Sequence, residues 1–352
     1  MKDGIKIWRD KNGTPHVEAE KIIDLYWGMG FVHATDRGMQ MLLMRILGQG
    51  RASEHLQSSD DTLNIDKFFR KVNWSGNVQN QLDQLSKNDM DKLNAYCAGA
   101  NAVFARKCPW EMKMLGYRPE NWKPEDFVTL SRMIGYLTLV QSQDEVERLF
   151  VELVQGDVPQ DYLEELFPGI LGGLDVALLK KVTLPERLMP FDTLWNLPLP
   201  RMMASNNWAI SGKKTDSGNA IMANDPHLEV NRLPNVWSEM VLQLKDQYVA
   251  GGTMPGLPVV LVGRNKHLAW GATYSFIDAI DSWVEKCKDG KFYREEGDQW
   301  VDFIQRKEII KRKKRIPLRL LIMKTIMVFW MGILTLKAII LLQSGLQRLP
   351  GR

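Results

Sequence analysis

Cysteine is scarce in this sequence, and export signals are missing from it. The chain holds three cysteines, Cys97, Cys108 and Cys287, in 352 residues. Because this number is odd and no Cys-x-x-Cys spacing occurs, neither a disulfide framework nor a cysteine-based zinc site is indicated. The residues that follow Met1 lack the apolar core of a signal peptide, so we expect no export signal in the chain as written.

Long apolar runs are missing as well. The longest uncharged apolar run, Thr325 to Leu336, has twelve residues, whereas a membrane-spanning helix needs about 20. The hydrophobic content of 45% is high enough for a large core, and a chain of this length forms roughly two or three domains. The composition therefore favours a globular protein over a disordered chain or a membrane-spanning protein.

Acidic residues are absent from the end of the chain. No Asp or Glu occurs after Glu308, and residues 309–352 hold ten Lys or Arg. Subtracting these ten from the total of 46 basic residues leaves 36 against 42 acidic ones, a net charge of −6 for the first 308 residues. Because all the net positive charge lies in the tail, we expect no nucleic-acid partner.

The same loss of acids predicts that residues 313–352 are an atypical basic and apolar tail, such as a shifted reading frame would produce. The alternative is a basic amphipathic segment that lies on a membrane surface. We expect the first of these two cases, and therefore no membrane partner.

Helical and strand patterns divide the chain. Apolar residues recur at helical spacing from Ile22 to about Leu56, and helices are predicted to begin after Ser86 and at Lys123. Prolines and glycines make residues 156–204 a linker by composition. Strands are predicted at Ile5–Arg9, His16–Ala19, Asn207–Ile210, Ala220–Ala223, Trp237–Leu244, Tyr248–Gly252, Val259–Val262, His267–Ala272 and Ser282–Lys286.

Several motifs, in order, resemble the penicillin acylase family of N-terminal-nucleophile hydrolases. The motifs are Arg9-Asp-Lys-Asn-Gly-Thr-Pro-His, Gly30-Phe-Val-His-Ala-Thr-Asp-Arg, Gly48-Gln-Gly-Arg-Ala-Ser-Glu, Asn121-Trp-Lys-Pro-Glu-Asp-Phe, Ser205-Asn-Asn-Trp, Asn224-Asp-Pro-His, Met254-Pro-Gly-Leu-Pro-Val-Val and His267-Leu-Ala-Trp-Gly-Ala-Thr. The resemblance covers roughly residues 5 to 312. It implies an α+β fold of the four-layer αββα sandwich type, incomplete here.

The resemblance also implies a precursor that is cut before a serine. We expect a mostly helical α-subunit-like part (1–176), a spacer (177–204), the first part of a β-subunit-like sheet domain (205–312) and the tail (313–352). The two cut chains would form a heterodimer. Relatives of this kind are periplasmic or extracellular.

Ser205 is the candidate nucleophile. A serine hydroxyl needs an adjacent base, and no Gly-x-Ser-x-Gly sequence supports a hydrolase triad here. If the Ala204–Ser205 bond is cut, the freed α-amino group, with a reference pKa of about 7.7–8.0, supplies a base on the same residue. The alternative is an ordinary serine at a strand edge.

The resemblance implies further site residues. His227 would orient the serine and its amine, and the backbone N–H of Tyr274 would donate to the oxyanion. The second donor, an asparagine, and a substrate-positioning arginine would fall beyond Arg352. His33, Asp36 and Arg37 are a second candidate cluster, but a structural network on one helix face explains them as well.

Calcium and an apolar substrate complete the predicted site. By resemblance, a structural Ca²⁺ would bind Glu145, Asp278, the carbonyl of Ile280 and Asp281, all hard oxygen ligands; a solvated acidic turn is the alternative. Apolar residues that resemble an acyl pocket, or pack in the core, are Leu139, Leu228 and Val262.

The resulting prediction is an amidohydrolase that acts on a small N-acyl substrate, either a β-lactam side chain or an acyl-homoserine lactone, with no organic cofactor. The alternative class is an inactive fragment or a non-catalytic membrane-surface binding protein.

Overall fold

The computed structural model describes residues 2–135, 141–184, 202–229, 235–273, 281–294, 297–324, 329–330 and 339–343. Helices dominate before Ser205 and strands dominate after it, which confirms the predicted α+β class. In these residues one helical layer covers one face of a six-stranded sheet. The other layers of a four-layer sandwich stay a prediction.

The helices lie mainly in the first half of the chain. They are α1 (Ile22–Gly48), α2 (Ala52–His55), α3 (Asp60–Val72), α4 (Val78–Leu82), α5 (Lys87–Phe104), α6 (Trp110–Met114), α7 (Pro124–Gly135), α8 (Gln141–Gln155), α9 (Gln160–Leu166) and α10 (Val176–Leu179). Within the described part of the chain, no helix has the length and apolar character to cross a membrane.

The strands flank this helical region. They are β1 (Ile5–Arg9), β2 (Pro15–Ala19), β3 (Met202–Ile210), β4 (Ile221–Leu228), β5 (Ser238–Leu244), β6 (Gln247–Thr253), β7 (Val260–Asn265), β8 (Ala269–Trp270), β9 (Asp281–Glu285), β10 (Cys287–Lys288), β11 (Lys291–Arg294), β12 (Gln299–Asp302), β13 (Ile304–Arg312), β14 (Arg315–Lys324), β15 (Phe329–Trp330) and β16 (Ile339–Gln343). Every strand predicted from the sequence overlaps an observed one.

The structure has helices where the sequence predicted them, but it differs from the prediction in two places. The helix expected from Ile22 to about Leu56 is two helices, because α1 ends at Gly48 and Gly50 has a φ of 59°, a conformation that interrupts a helix. The predicted linker also contains α9 and α10, whose apolar residues pack with α8 in a small separate core. The cap at Ser86 is confirmed, since its hydroxyl accepts a hydrogen bond from the Asp89 amide.

The six-stranded sheet combines both halves of the chain. Its order is β1-β2-β5-β6-β7-β8, and β2 pairs in parallel with β5, with His16 opposite Val241. Thus two strands that precede Ser205 and four that follow it share one sheet. Helix α1 packs on this sheet, and the buried Val17, Met29 and Met240 belong to the same core.

Helices α1 and α5 pack at backbone contact. A Cβ atom on Gly30 would lie 2.0 Å from the carbonyl oxygen of Tyr96, and one on Gly99 would lie 1.9 Å from that of Trp27. No side chain fits at such distances. The absence of a side chain at these two positions therefore sets the separation of the two helices.

His33 joins α1 to α5 and to the sheet. Its Nδ1 lies 2.8 Å from the Tyr96 hydroxyl, and its Nε2 lies 2.8 Å from Oγ1 of Thr253. Thr253 donates its own hydroxyl hydrogen to the Ser238 carbonyl, so it accepts from His33 and the proton sits on Nε2. Tyr96 in turn donates to Nδ1 and accepts from the Gly256 amide. Every polar atom in this buried chain is thus satisfied by a neutral histidine.

A hairpin from the second half packs on the helices. Strands β13 and β14 pair from Ile304–Lys324 to Arg312–Arg315, so the predicted boundary at 312/313 falls in the turn between them. Glu308 on β13 forms an ion pair of 2.9 Å with Arg70 on α3, and the Lys313 amide donates to the Ser53 carbonyl at 2.8 Å. The start of the predicted tail is thereby part of the folded protein.

We predict that His33 makes stability fall in acid. Burial lowers its pKa to about 3, from an ordinary value near 6.5. The unfolded chain takes up a proton near pH 6.5 that the folded chain does not bind until about pH 3. The free energy of unfolding should therefore lose about 1.4 kcal/mol per unit of pH between these values, with no such contribution above pH 7.

Urea unfolding between pH 4 and 8 would measure this slope. His33→Gln should reduce it by about one proton equivalent, whereas His267→Gln, at an exposed position, should leave it unchanged. Equal slopes in the wild type and His33→Gln would contradict the neutral buried histidine.

We predict that the α1–α5 contact does not tolerate a methyl group. Gly99→Ala should lower the free energy of unfolding by about 1–3 kcal/mol or more, because backbone atoms must move apart. Gly135→Ala is the matched control, since a Cβ there meets no atom within 4 Å. Urea denaturation of both variants compares them, and equal stability would refute the steric role of Gly99.

Candidate active site

Ser205 lies on the hairpin formed by β3 and β4. These strands are antiparallel, with Ala204 opposite His227, Ser205 opposite Pro226 and Asn206 opposite Asp225. Side chains alternate between the two faces of a strand. The hairpin therefore has a serine face, which carries Ser205, Asn207 and Asn224, and a histidine face, which carries Asn206, Asp225 and His227.

Thr273 contacts Ser205 on the serine face. The Ser205 hydroxyl donates to Oγ1 of Thr273 at 3.0 Å, and the same Thr273 hydroxyl donates to the Ser205 carbonyl oxygen at 2.7 Å. One threonine side chain thus binds both the predicted nucleophile and the carbonyl group of the same residue. Ser205 itself is half-buried.

Asn224 connects the segment before Thr273 to the hairpin. Its side-chain amide donates to the carbonyls of Asn206, at 2.6 Å, and Ala272, at 2.9 Å. Its Oδ1 accepts from the Ala272 amide at 3.2 Å. The segment passes so close that a Cβ on Gly271 would lie 2.9 Å from atoms of Asn207 and Asn224.

His227 binds Asp225 on the histidine face. Its Nε2 lies 3.2 Å from Oδ2 of Asp225, which also accepts from the Asn206 side chain at 3.3 Å. The Asn206 amide donates to Oδ1 of Asp225 at 3.0 Å. The hydrogen bond from His227, and then that from Asn206, lowers the pKa of Asp225 below its ordinary value. Asp225 is therefore an ionised acceptor for His227.

The structure brings some predicted residues together and separates others. Ser205 and His227 share a hairpin but lie on opposite faces, and His227 is the cross-strand neighbour of Ala204. Leu228 ends β4 opposite Met202, whereas Val262 lies on β7 in the six-stranded sheet. The residues outside the described part of the chain are Leu139, Tyr274, Asp278 and Ile280.

The two predicted calcium ligands in the described part of the chain, Glu145 and Asp281, lie on elements that meet. Glu145 is half-buried on α8, and Asp281 is the first residue of β9. Val284 of β9 packs against the apolar cluster that contains Phe150 and Val154 of α8. Among the described residues alone, no group of three or more His, Cys, Asp or Glu side chains could hold a metal ion.

The second candidate cluster separates into structural contacts. His33 is buried in the chain described above, and Asp36 forms an ion pair of 2.5 Å with Arg9. Arg37 donates to the carbonyls of Asn235 and Trp237, at 3.0 and 3.2 Å. Because these partners differ, the contacts of the three described residues favour the structural interpretation over a shared catalytic group.

Three residues of the site had no role assigned from the sequence: Asn224, Asp225 and Thr273. All three lie within motifs that carry the family resemblance. Small polar residues in such motifs, at the ends of predicted strands, were the signal that could have identified them.

Comparison with known proteins places the chain in a family. A family model described as penicillin amidase matches residues 4–326. The acyl-homoserine lactone acylase QuiP of Pseudomonas aeruginosa is 30% identical, over 92% of this chain and 40% of the relative. The penicillin acylase 2 proenzyme of Pseudomonas sp. strain SE83 is 28% identical, over 82% of this chain and 39% of the relative.

A solved structure, a thermostable penicillin G acylase from Alcaligenes faecalis, is 26% identical and covers 49% of this chain and 92% of its own, with a TM-score of 0.39. The present chain spans about 40% of the length of the curated relatives named above. The family match includes the Ser205 hairpin, the Thr273 segment and both strands of the β13–β14 hairpin. The chain therefore belongs to the penicillin amidase family.

Proposed function

We propose that this protein is an amidohydrolase precursor that cuts its own Ala204–Ser205 bond and then uses Ser205 as an N-terminal nucleophile on a linear amide. The observation that carries the proposal is the double contact of Thr273 with the hydroxyl and the carbonyl of Ser205. Thr273 immediately precedes Tyr274, the expected oxyanion donor. The contact of Thr273 with Ser205 therefore supports an oxyanion donor that follows Thr273 in the sequence.

The scission proceeds as an N-to-O acyl shift. The Ser205 hydroxyl oxygen bonds to the carbonyl carbon of Ala204, the bond from that carbon to the Ser205 nitrogen breaks, and the hydroxyl proton moves to the nitrogen. Water then hydrolyses the ester, which leaves a carboxylate on Ala204 and the free hydroxyl and amine on Ser205. No external reactant besides water is needed.

The same two groups then act on the substrate. The neutral amine accepts the proton of the hydroxyl as its oxygen attacks the amide carbonyl, and it later returns the proton to the leaving amine. Backbone donation from Tyr274 stabilises the oxyanion, a contribution of about 2.7–4 kcal/mol for one donor in comparable sites.

His227 is proposed to orient the freed N-terminus. In the uncut chain its side chain lies on the face opposite the Ser205 hydroxyl and across from Ala204. After scission Ser205 is no longer restrained by Ala204, so its amine can reach towards the histidine face. Before scission, Nε2 of His227 is hydrogen-bonded to the carboxylate of Asp225.

The proposed substrate is a small molecule with an apolar acyl group on an amine. Relatives are named for acyl-homoserine lactone and penicillin acylase activities. Three apolar residues, Leu139, Leu228 and Val262, are the proposed lining of the acyl pocket. These residues favour an apolar acyl group. They do not distinguish a homoserine lactone from a β-lactam as the amine part of the substrate.

After scission the two chains are proposed to stay together as a heterodimer. Strands β1 and β2 come from one side of the cut and strands β5 to β8 from the other, yet they form one sheet with one core. The Arg70–Glu308 ion pair also joins the two sides. Separating the chains would expose that core, which keeps the pair associated.

A structural calcium ion is proposed between α8 and β9. Carboxylate and carbonyl oxygens from Glu145, Asp278, Ile280 and Asp281 are the hard donors that Ca²⁺ prefers. The packing of Val284 against α8 supports this pairing of elements. Such an ion would add stability to the joined chains and take no part in the chemical step.

Cleavage at Ser205 is the first test of the function. Intact-mass spectrometry of the purified 352-residue protein should detect a fragment that begins at Ser205. Ser205→Ala should stay uncut and lack amidase activity on chromogenic N-acyl amides, because it has no nucleophile. Ser217→Ala, in the exposed turn of the same hairpin, should be cut like the wild type. A Ser205→Ala chain that is still cut between residues 204 and 205 would refute the proposal.

Calcium binding is tested by thermal unfolding. Saturating Ca²⁺, at about 100 times its Kd, should stabilise the protein by about 2.7 kcal/mol relative to a chelator-treated sample. Glu145→Gln should lose most of this gain, whereas Glu165→Gln, on the exposed side of α9, should keep it. If Glu145→Gln responds to Ca²⁺ as the wild type does, this ligand assignment is wrong.

A further inference from the structure

We propose that Asn224 and Thr273 are positioning residues for Ser205: Asn224 holds residues 271–273 against the nucleophile strand, and Thr273 sets the direction of the Ser205 hydroxyl. This inference rests on the proposed function, which it deepens by naming two residues that prepare the nucleophile for attack.

Asn224 makes a three-point connection. Its amide group donates to Asn206 on the nucleophile strand and pairs with both the carbonyl and the amide of Ala272. A side-chain amide that donates and accepts at one residue imitates a strand neighbour, so it fixes the distance and direction of the passing backbone. The short hydrogen bond to Asn206 ties this segment to the residue next to the nucleophile.

Gly271 makes the approach possible. A Cβ at this position would lie 2.9 Å from Asn207 Oδ1 and from two atoms of Asn224. Gly271 therefore lies close to the serine face, and Ala272 and Thr273 are hydrogen-bonded to it. Thr273 is held at its end, directly over Ser205.

Thr273 then determines how the nucleophile is presented. Its hydroxyl donates to the Ser205 carbonyl, so its oxygen faces the Ser205 hydroxyl as an acceptor. The hydrogen of the serine hydroxyl points towards Thr273, which leaves the lone pairs of Oγ directed elsewhere and available to a carbonyl carbon. A β-branched side chain has few rotamers, which makes this arrangement rigid.

The histidine face carries a separate network. Asn206, Asp225 and His227 bond to each other on the opposite side of the hairpin. We therefore assign the orientation of the hydroxyl before the cut to Thr273 on the serine face.

The half-life of the precursor tests the inference. It is measured for three variants of the 352-residue protein and one control variant. Thr273→Val keeps the shape and removes both hydrogen bonds, and Asn224→Asp replaces the donating amide with an oxygen that repels two carbonyls. Each should slow scission about 100-fold, the loss expected when reacting atoms are misplaced by about 1 Å. Thr273→Ser keeps the hydroxyl and should cut within about tenfold of the wild type.

The control is Asn219→Asp, the same change in the exposed turn of the hairpin, which should cut at the wild-type rate. Thermal unfolding of each variant, measured in the Ser205→Ala background where none can be cut, separates a loss of fold from a loss of orientation. We expect Thr273→Val and Thr273→Ser to have similar thermal unfolding midpoints but very different scission rates.

Three results would overturn it. Scission of Thr273→Val and Asn224→Asp at the wild-type rate, while Ser205→Ala stays uncut, would reject the positioning roles and keep the proposed function. Equal slowing of Thr273→Ser and Thr273→Val would show that the hydroxyl has no such role. A wild-type chain that is never cut between residues 204 and 205 would reject the proposed function and this inference together.

Discussion

The buried His33 chain is the interaction on which the arrangement of helices and sheet depends. One imidazole accepts from Tyr96 on α5 and donates to Thr253 on β6, and both partners are satisfied in turn by Gly256 and Ser238. A buried polar group without a partner costs about 1–3 kcal/mol. Any shift of α1 against the sheet would leave several such groups unpaired, so the chain of hydrogen bonds selects one register for the helical layer.

The same register bears on the proposed cut between Ala204 and Ser205. The residues joined by the His33 chain lie on both sides of position 204, as do the strands of the six-stranded sheet. Such a cut would therefore remove a covalent connection but no part of the core. Strand β2 pairs with β1 on one side and with β5 on the other, whereas β3 and β4 form a two-stranded sheet of their own. The hairpin that bears Ser205 can therefore change its end without disturbing the six-stranded sheet.

Local patterns in the sequence predicted local structure well. Alternation identified the strands, and Ser86 identified a helix start. The family motifs indicated Ser205 as the nucleophile, which stays a prediction. The partners of His33 could not be identified, because Thr253 lies 220 positions away and no periodicity encodes such a pairing. Arg45 is similar: an arginine on an amphipathic helix is usually exposed, yet this one is buried between Asp126 and Trp122. Its partners lie on α7 and in the loop before α7, so the pattern of α1 alone could not predict that Arg45 is buried.

The division of the Ser205 hairpin into two faces also follows from a local rule, but applying that rule requires the register of the two strands. The distance of 22 positions between Ser205 and His227 does not indicate whether the two side chains lie on the same face of the hairpin. The register of β3 and β4 does indicate it. With Ala204 opposite His227, the period of two places the histidine and the serine hydroxyl on different faces. The uncut chain therefore presents its hydroxyl to Thr273 and its histidine to Asp225. If the Ala204–Ser205 bond is cut as proposed, the amine forms only when the Ala204 side of the strand is released. A residue that serves the amine can therefore lie on the face away from the hydroxyl.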